Sequence, residues 1–481
     1  MSNQKTDRVS AIKAWANQSS RTRKFWHRRN QYFHKLDTDY LRFLIPANQK
    51  VLALGCGSGA KLAAIAPALG IGVDLSEEKI AIAKELHPHL NFIVGDMEDP
   101  KVVETLRDYG PFDTILLYDS LGFAWDIQKF LRQLVPLCSA DTRVVSVYYA
   151  YSWEPILKIL EICSLRMRSF DTTWLRMEDV ERFLESSGFR TVKKEWRILC
   201  PAHLLGVGRV VNKVFGSLPL VRKLSLRHYV VARPAIQDSV REEKTVTVVI
   251  PCRNEKGNIK DAVQRIPRMG KSTELIFVEG HSQDGTWQEI QKIAAEYPEL
   301  DIKSIRQSGV GKGNAVRDGF ALATGEVLMI LDADLTVAPE DLPKFYNEFI
   351  SGRGEYINGS RLVYSMEDDA MRFLNYLANH MFASIFSFLL NQTFTDTLCG
   401  TKVISQRNYI RLLEGREYFG DFDPFGDFDL IFGAIKLNLE VAEVPIRYGR
   451  RQYGTTQISR FRHGILLIRM VVFAFRKLKL V

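Results

Sequence analysis

Two aspartates, Asp332 and Asp334, close an apolar run at 327–331 with a single alanine between them. An Asp-X-Asp at the end of a buried strand aims two carboxylates at one spot. Their mutual repulsion is ordinarily relieved by a divalent cation that also holds a diphosphate. That chemistry suits a nucleotide-sugar donor. Upstream lie the polar turn Val278-Glu-Gly-His-Ser-Gln-Asp-Gly-Thr286 and the basic, glycine-rich Gly311-Lys-Gly313. A separate chemical feature stands far earlier, in Leu54-Gly-Cys-Gly-Ser-Gly59. There glycines let a ligand approach the backbone where a strand hands over to a helix.

The elements that must position these residues alternate. Strands are expected at 50–54, 71–74, 91–94, 113–117 and 142–149, with helices at 61–69 and 77–86. After a polar interval at 236–244 the alternation restarts with strands at 245–250, closed by Pro251, then 274–278 and 327–331. Such repetition implies open parallel sheets with ligands at the strand carboxyl ends. The expected division is 1–235, a linker at 236–244, 245–450, and a basic amphipathic tail at 451–481.

A chain of 481 residues is long for one core. Its formal charge is +9. Residues 451–481 hold seven basic and no acidic residues. Interleaved with apolar residues, that pattern reads either as a binder of an anionic membrane surface or as a solvated helix face. The apolar stretch 373–390 carries Asn375, Asn379 and His380, so it is expected to cover a core or lie at an interface rather than to span a bilayer. Six cysteines without a C-x-x-C pair fit a reducing cytoplasm and no structural zinc. The polar N-terminus lacks the apolar core of a signal peptide. Arg21-Thr-Arg-Lys24 and Arg28-Arg29 could suggest nucleic acid, but they accompany small-molecule motifs, and no nucleic-acid partner is expected.

The glycine loop, Asp74 ending the second strand and Asp96 ending the third together resemble the class I S-adenosylmethionine-dependent methyltransferases, over roughly residues 45–235. The resemblance implies a Rossmann-like α/β fold. Gly55, Gly57 and Gly59 would wrap the methionine part, with Asp74 on the ribose and Asp96 near the adenine. Tyr148, Tyr149, Tyr151 and Trp153 could frame an acceptor or simply pack a core.

From 245 to 450, Val249-Ile-Pro-Cys-Arg-Asn-Glu255 and the motifs at 278–286, 311–315 and 332–334 resemble the family 2 glycosyltransferases of the GT-A fold. Gly359-Ser-Arg361, Asp396-Thr-Leu-Cys-Gly400, Glu443-Val-Pro445 and Arg451-Gln-Tyr-Gly454 carry a closer likeness to the dolichyl-phosphate mannose synthase branch. The resemblance implies that Pro251, Glu255 and Glu279 border the nucleoside and that Lys312 meets the phosphates. Asp332 and Asp334 would bind Mg2+ or Mn2+, and Arg361 and Arg451 would clamp an acceptor phosphate. Three positions depart from the branch: Glu279-Gly280 replaces an Asp-Asp pair, Thr336 a glutamine, and Thr456-Gln457 a Ser-Lys. In Asp421-Phe-Asp-Pro-Phe-Gly-Asp-Phe-Asp429, Asp427 or Asp429 could act as general base toward a hydroxyl acceptor, or the run could be a charged loop.

The expectation is a bifunctional transferase, cytoplasmic and peripheral at the inner face of the membrane. It would pass a sugar from a nucleotide-sugar donor to a polyprenyl phosphate or glycan, and a methyl group from S-adenosylmethionine to an acceptor the sequence does not name. The alternative is a glycosyltransferase fused to a noncatalytic S-adenosylmethionine-binding or scaffold domain.

Overall fold

Seven strands in the first half pair into one sheet because their apolar residues are covered on both faces. A computed structural model describes residues 2–235, 242–363, 373–420, 426, 428–451, 453–454 and 460–480. It divides into two compact units, Met1–Ile236 with Lys479–Val481, and Gln237–Leu478. The first contains β1 (Lys50–Leu54), β2 (Leu69–Asp74), β3 (Asn91–Val94), β4 (Phe112–Tyr118), β5 (Cys138–Tyr149), β6 (Phe189–Arg197) and β7 (Arg227–Pro234). Their order is β3-β2-β1-β4-β5-β7-β6. The first five are mutually parallel, whereas β7 runs antiparallel to both β5 and β6. Leu52, Leu54, Ile115 and Leu117 form the centre of the core, the near-continuous apolar pattern of strands buried on both faces.

Local signals fix the helices around that sheet. Ser76 caps Glu77–Leu86 by accepting from Lys79 N, and Asp126 caps Ile127–Leu134 by accepting from Lys129 N. The helix expected at 61–69 is confined to Ala60–Ala64. Ala66 takes a left-handed φ of 49°, Pro67 follows with no N–H to continue the helix, and Leu69 already opens β2. Residues 2–29 form one long helix, for which the polar sequence gives no apolar stripe. Lys13 pairs with Glu77 at 2.7 Å and Ser20 Oγ donates to Glu78 at 2.7 Å, tying that helix to Glu77–Leu86.

The second unit contains β8 (Val246–Cys252), β9 (Thr273–Glu279), β10 (Asp301–Arg306), β11 (Val327–Ile330), β12 (Tyr356–Ser360), β13 (Lys402–Ser405) and β14 (Val441–Pro445). They pair in the order β10-β9-β8-β11-β13-β12-β14. Strands β10, β9, β8 and β11 are parallel, β13 is antiparallel to its neighbours, and β12 is parallel to β14. Strand β8 does not stop before Pro251: Pro251 stands opposite Val278 and Cys252 opposite Glu279. The helix Phe373–Leu390 buries Phe382, Phe386 and Leu390, so it covers a core. The helix Arg460–Ala474 buries Leu467, Met470 and Ala474 and exposes Ile465, Ile468 and Val472.

The helix Lys312–Leu322 lies on β8 and β9 at Gly319, where an added Cβ would overlap a methyl of Val249. Gly319→Ala is therefore expected to destabilise the second unit by about 1–3 kcal/mol through overpacking, despite alanine's better helix propensity. Urea unfolding followed by hydrogen exchange within β8 and β9 measures it. Wild-type stability in those strands would show that the helix can back away.

Candidate functional sites

The loop after β1 turns sharply enough that only glycine fits. Gly55, Gly57 and Gly59 have φ of 73°, 55° and 74°, a region costly for side-chain-bearing residues. A Cβ on Gly55 would lie 2.7 Å from Ser120 Cβ, and one on Gly59 would lie 2.6 Å from the Phe92 ring. Gly57 N donates to Asp74 Oδ2 at 2.8 Å and Ser76 N to Asp74 Oδ1 at 3.0 Å. The end of β2 thus holds the loop while each carboxylate oxygen keeps acceptor capacity. Asp96 accepts from Glu98 N at 3.0 Å. Gly55, Gly57, Asp74 and Asp96 line one cavity of about 380 Å³; Gly59 lies off it and serves the turn. Its volume, open backbone and two carboxylates fit a nucleoside with an amino-acid tail such as S-adenosylmethionine.

A charge cluster at the cavity's edge has no motif in the sequence. Asp37, fully buried on the helix Gln31–Leu44, accepts from the hydroxyls of Tyr118 and Tyr229 and from Arg227 Nε at 3.3 Å. Lys61 Nζ lies 3.0 Å from it. Burial pushes the Asp37 carboxyl up, but Arg227, Lys61 and the two hydroxyls outweigh burial and hold it at about 2. Arg227 reaches on to Asp119 Oδ1 at 2.6 Å, its guanidinium 4.4 Å from the Tyr149 ring centre and 5.0 Å from that of Tyr118. Asp119 follows β4 directly, has a left-handed φ of 53°, and lines the cavity. Burial pushes its carboxyl up against the pull of Arg227. Tyr148 and Tyr149 also line the cavity; Tyr151 and Trp153 do not.

In the second unit, Lys312 begins its helix and sets Nζ 2.6 Å from Asp332 Oδ1. Asp334 accepts from Thr336 N at 3.2 Å and from Thr336 Oγ1 at 2.8 Å. Burial, reinforced by the neighbouring Asp332, pushes the Asp334 carboxyl up. The departure at Thr336 therefore supplies a brace for Asp334. Any Cβ at Gly400 would overlap both Asp332 Oδ2 and Lys312 Nζ, so the ion pair can sit against this backbone only because residue 400 is glycine. Two neighbouring carboxylates fit part of the oxygen shell of Mg2+ or Mn2+. Among the described residues no third acidic, histidine or cysteine side chain joins them.

Arg361 is paired within the fold: its Nε and Nη2 donate to the two oxygens of Asp396 at 2.6 and 2.9 Å. The fork expected on an acceptor phosphate meets a buried carboxylate here and braces the turn that carries Gly400. Arg451 pairs with Glu255 and donates Nε to Tyr453 O at 2.9 Å, which brings two site candidates together. Glu255 also accepts from Asn258 Nδ2 at 2.7 Å. Glu279, nearly buried, accepts from Ser282 N. Pro251 sits within β8 near its carboxyl end. Asp429 is bracketed by Arg317 and Arg416, each at 3.2 Å. Asp427 lies outside the described residues.

Residues 51–140 match the methyltransferase domain model, and residues 247–412 match that of glycosyl transferase family 2. A dolichol-phosphate mannosyltransferase of Pyrococcus furiosus is 35% identical over 120 residues, 24% of this chain and 33% of the relative. That of Saccharomyces cerevisiae is 39% identical over 105 residues, 21% of this chain and 39% of the relative. The chain thus spans between a third and two-fifths of the length of these relatives. A solved SAM-dependent methyltransferase from Thermotoga maritima aligns with 46% of this chain and 97% of its own, at 12% identity and a TM-score of 0.34. The chain carries a methyltransferase domain followed by a family 2 glycosyltransferase domain.

The Asp37 cluster generates a pH signature. A carboxyl held below its ordinary value of 3.8 contributes stability that is complete above that value and is lost as pH falls through about 2. The shift corresponds to about 2 kcal/mol. Asp37→Asn should lower stability at neutral pH by about 3–5 kcal/mol, because Arg227 and Lys61 lose their buried partner. It should also flatten the decline between pH 4 and 2. Urea unfolding at stepped pH measures both; an unchanged acid limb would remove Asp37 as its source.

Proposed function

We propose that the second unit transfers a sugar from a nucleotide-sugar donor, with inversion, to a polyprenyl phosphate or glycan, and that the first transfers a methyl group from S-adenosylmethionine. The observation that carries the glycosyl reading is the cluster of Lys312, Asp332 and Asp334 packed against Gly400. Pro251, Glu255 and Glu279 border the nucleoside, and Lys312 turns from Asp332 to a donor phosphate. A divalent cation bound by Asp332 and Asp334 would supply charge neutralisation of the departing diphosphate. Arg451 is the acceptor-phosphate residue, exchanging Glu255 for the incoming anion. A phosphate acceptor needs no base; Asp427 would serve a hydroxyl acceptor. The names of the relatives favour the lipid phosphate.

The methyl reading rests on the glycine loop and the two cavity-facing carboxylates. Asp74 holds the ribose, Asp96 the adenine, and Gly55 and Gly57 admit the amino-acid tail. Asp119 faces the same cavity and suits an acceptor that sheds a proton. Methyl transfer itself rests mainly on in-line placement of the nucleophile.

The helix Arg460–Ala474 would lie on an anionic bilayer, placing the protein at the inner face of the membrane. Its exposed Ile465, Ile468 and Val472 and the acid-free stretch 451–481 support this. Among the described residues no helix is long and apolar enough to cross a membrane.

Two measurements separate the activities. Asp334→Ala should abolish Mn2+-dependent binding of UDP or GDP, read by calorimetry, while leaving S-adenosylmethionine affinity unchanged, as expected for independent sites. Equal Mn2+-dependent binding in the variant would reject the metal assignment. Asp74→Ala should weaken S-adenosylmethionine binding by about 1.5–3 kcal/mol, the worth of a hydrogen bond to a charged group. Wild-type affinity there would reject the ribose assignment.

A further inference from the structure

In the first unit, residues 201–224 turn their apolar side chains outward. Leu205 and Leu220 are 103% and 80% exposed, and Leu204, Val207, Val210 and Val214 are each more than half exposed. This is an ordered display and not a slack loop. The helix Val207–Val214 places Val207, Val210 and Val214 on one face. On its other side Gly208 packs so closely that a Cβ would overlap Ala202 O. The Asn212 side chain accepts from Cys200 N at 2.8 Å and donates to Cys200 O at 2.7 Å. Trp153 Nε1 donates to Leu224 O at 2.8 Å. The polar groups brace the segment from inside while the hydrocarbon faces out.

Two further observations say what covers it. Leu204 and Leu205 have left-handed φ of 43° and 54°, strained for leucine, and the turn they form ends in two exposed leucines. Backbone bonds from Gly206 N and Gly208 N to His203 O hold the turn, but the fully exposed Leu205 side chain packs against nothing. The segment also contains Arg209, Lys213, Arg222 and Lys223 and no acidic residue. Arg222 is turned inward over Trp196, but Arg209, Lys213 and Lys223 are exposed. A second copy meeting this face would set like charges against each other. Leucines flanked by cations match the boundary between headgroups and acyl chains of an anionic bilayer.

We propose that residues 201–224 form a membrane-docking surface of the methyltransferase domain, inserting Leu204, Leu205 and Leu220 into an anionic bilayer with Arg209, Lys213 and Lys223 at the phosphates. This surface is separate from the helix Arg460–Ala474 and does not depend on either transferase reading. The segment is also tied to the helix Gln31–Leu44: Tyr32 packs its ring 5.2 Å from His203 and accepts from Asn212 Nδ2 at 3.2 Å.

The test uses the full chain and sucrose-loaded vesicles, without donor or S-adenosylmethionine. One set is phosphatidylcholine alone and the other contains roughly one-third phosphatidylglycerol. Wild type should cosediment with the anionic set, and hydrogen exchange in 201–224 should slow on it. Leu205→Ser with Leu220→Ser should lower the partition constant at least about tenfold at unchanged thermal stability, since both side chains are exposed. Arg209→Glu with Lys213→Glu should lower it about tenfold at low salt and little at high salt. Ile465→Ser with Ile468→Ser should leave the protection of 201–224 in place. Protection confined to 460–474, or wild-type partitioning of the leucine variant, would overturn the proposal. So would lipid-free protection of 201–224 in a dimer that the leucine variant dissolves.

Discussion

A carboxylate withdrawn from water must find a cation or a set of donors, and that requirement shapes the surroundings of both candidate sites. Asp37 gathers Lys61, Tyr118, and the Arg227 and Tyr229 of β7 from three separate stretches of chain. Asp396 takes both arms of Arg361. Breaking such a pair leaves an uncompensated buried charge, which is far more costly than the pair is stabilising. The strands and turns that bear these groups are therefore held in register by charge as well as by packing. Asp119 stands at the end of β4 because Arg227, on β7, holds it there. Gly400 reaches Asp332 because Arg361 holds the 396–400 turn.

The two units reach similar solutions by different routes. Each places its candidate site beyond the carboxyl ends of parallel strands, where backbone N–H groups and loop side chains converge. In the first unit antiparallel β7 comes next to β5 and delivers Arg227 to the cavity's edge. In the second, antiparallel β13 comes next to β11 and follows directly on the turn that carries Gly400. An added antiparallel strand beside the parallel set thus lets distant chain close over the site.

What could be read from sequence was what is local. The Gly55–Gly59 loop and the Asp332–Asp334 pair are contiguous, and their chemistry follows from spacing and residue type. Asp37 and Arg227 stand 190 positions apart and obey no period, so nothing in the linear chain marks them as partners. Arg361 was legible as a phosphate-gripping residue but not as already engaged, because its partner lies 35 residues on, across a turn. The short helix after the glycine loop ended early for a local reason, Pro67, which the run of alanines overshadowed. The exposed leucines of 201–224 carry no periodic signal, since a hydrophobic residue facing solvent looks in sequence like one facing a core.

The ion pair between Lys312 and Asp332 makes the cradle self-occupied. On the proposed reading, a cation arriving alone would have to displace the lysine, and an anionic diphosphate arriving alone would meet a lysine already paired and two carboxylates that repel it. Arriving together, each ligand would remove the obstacle to the other, and by reciprocity the two affinities would rise by the same factor. A site of that kind would act as a coincidence detector, nearly silent to free metal or bare nucleotide and responsive to the two as one neutralised unit.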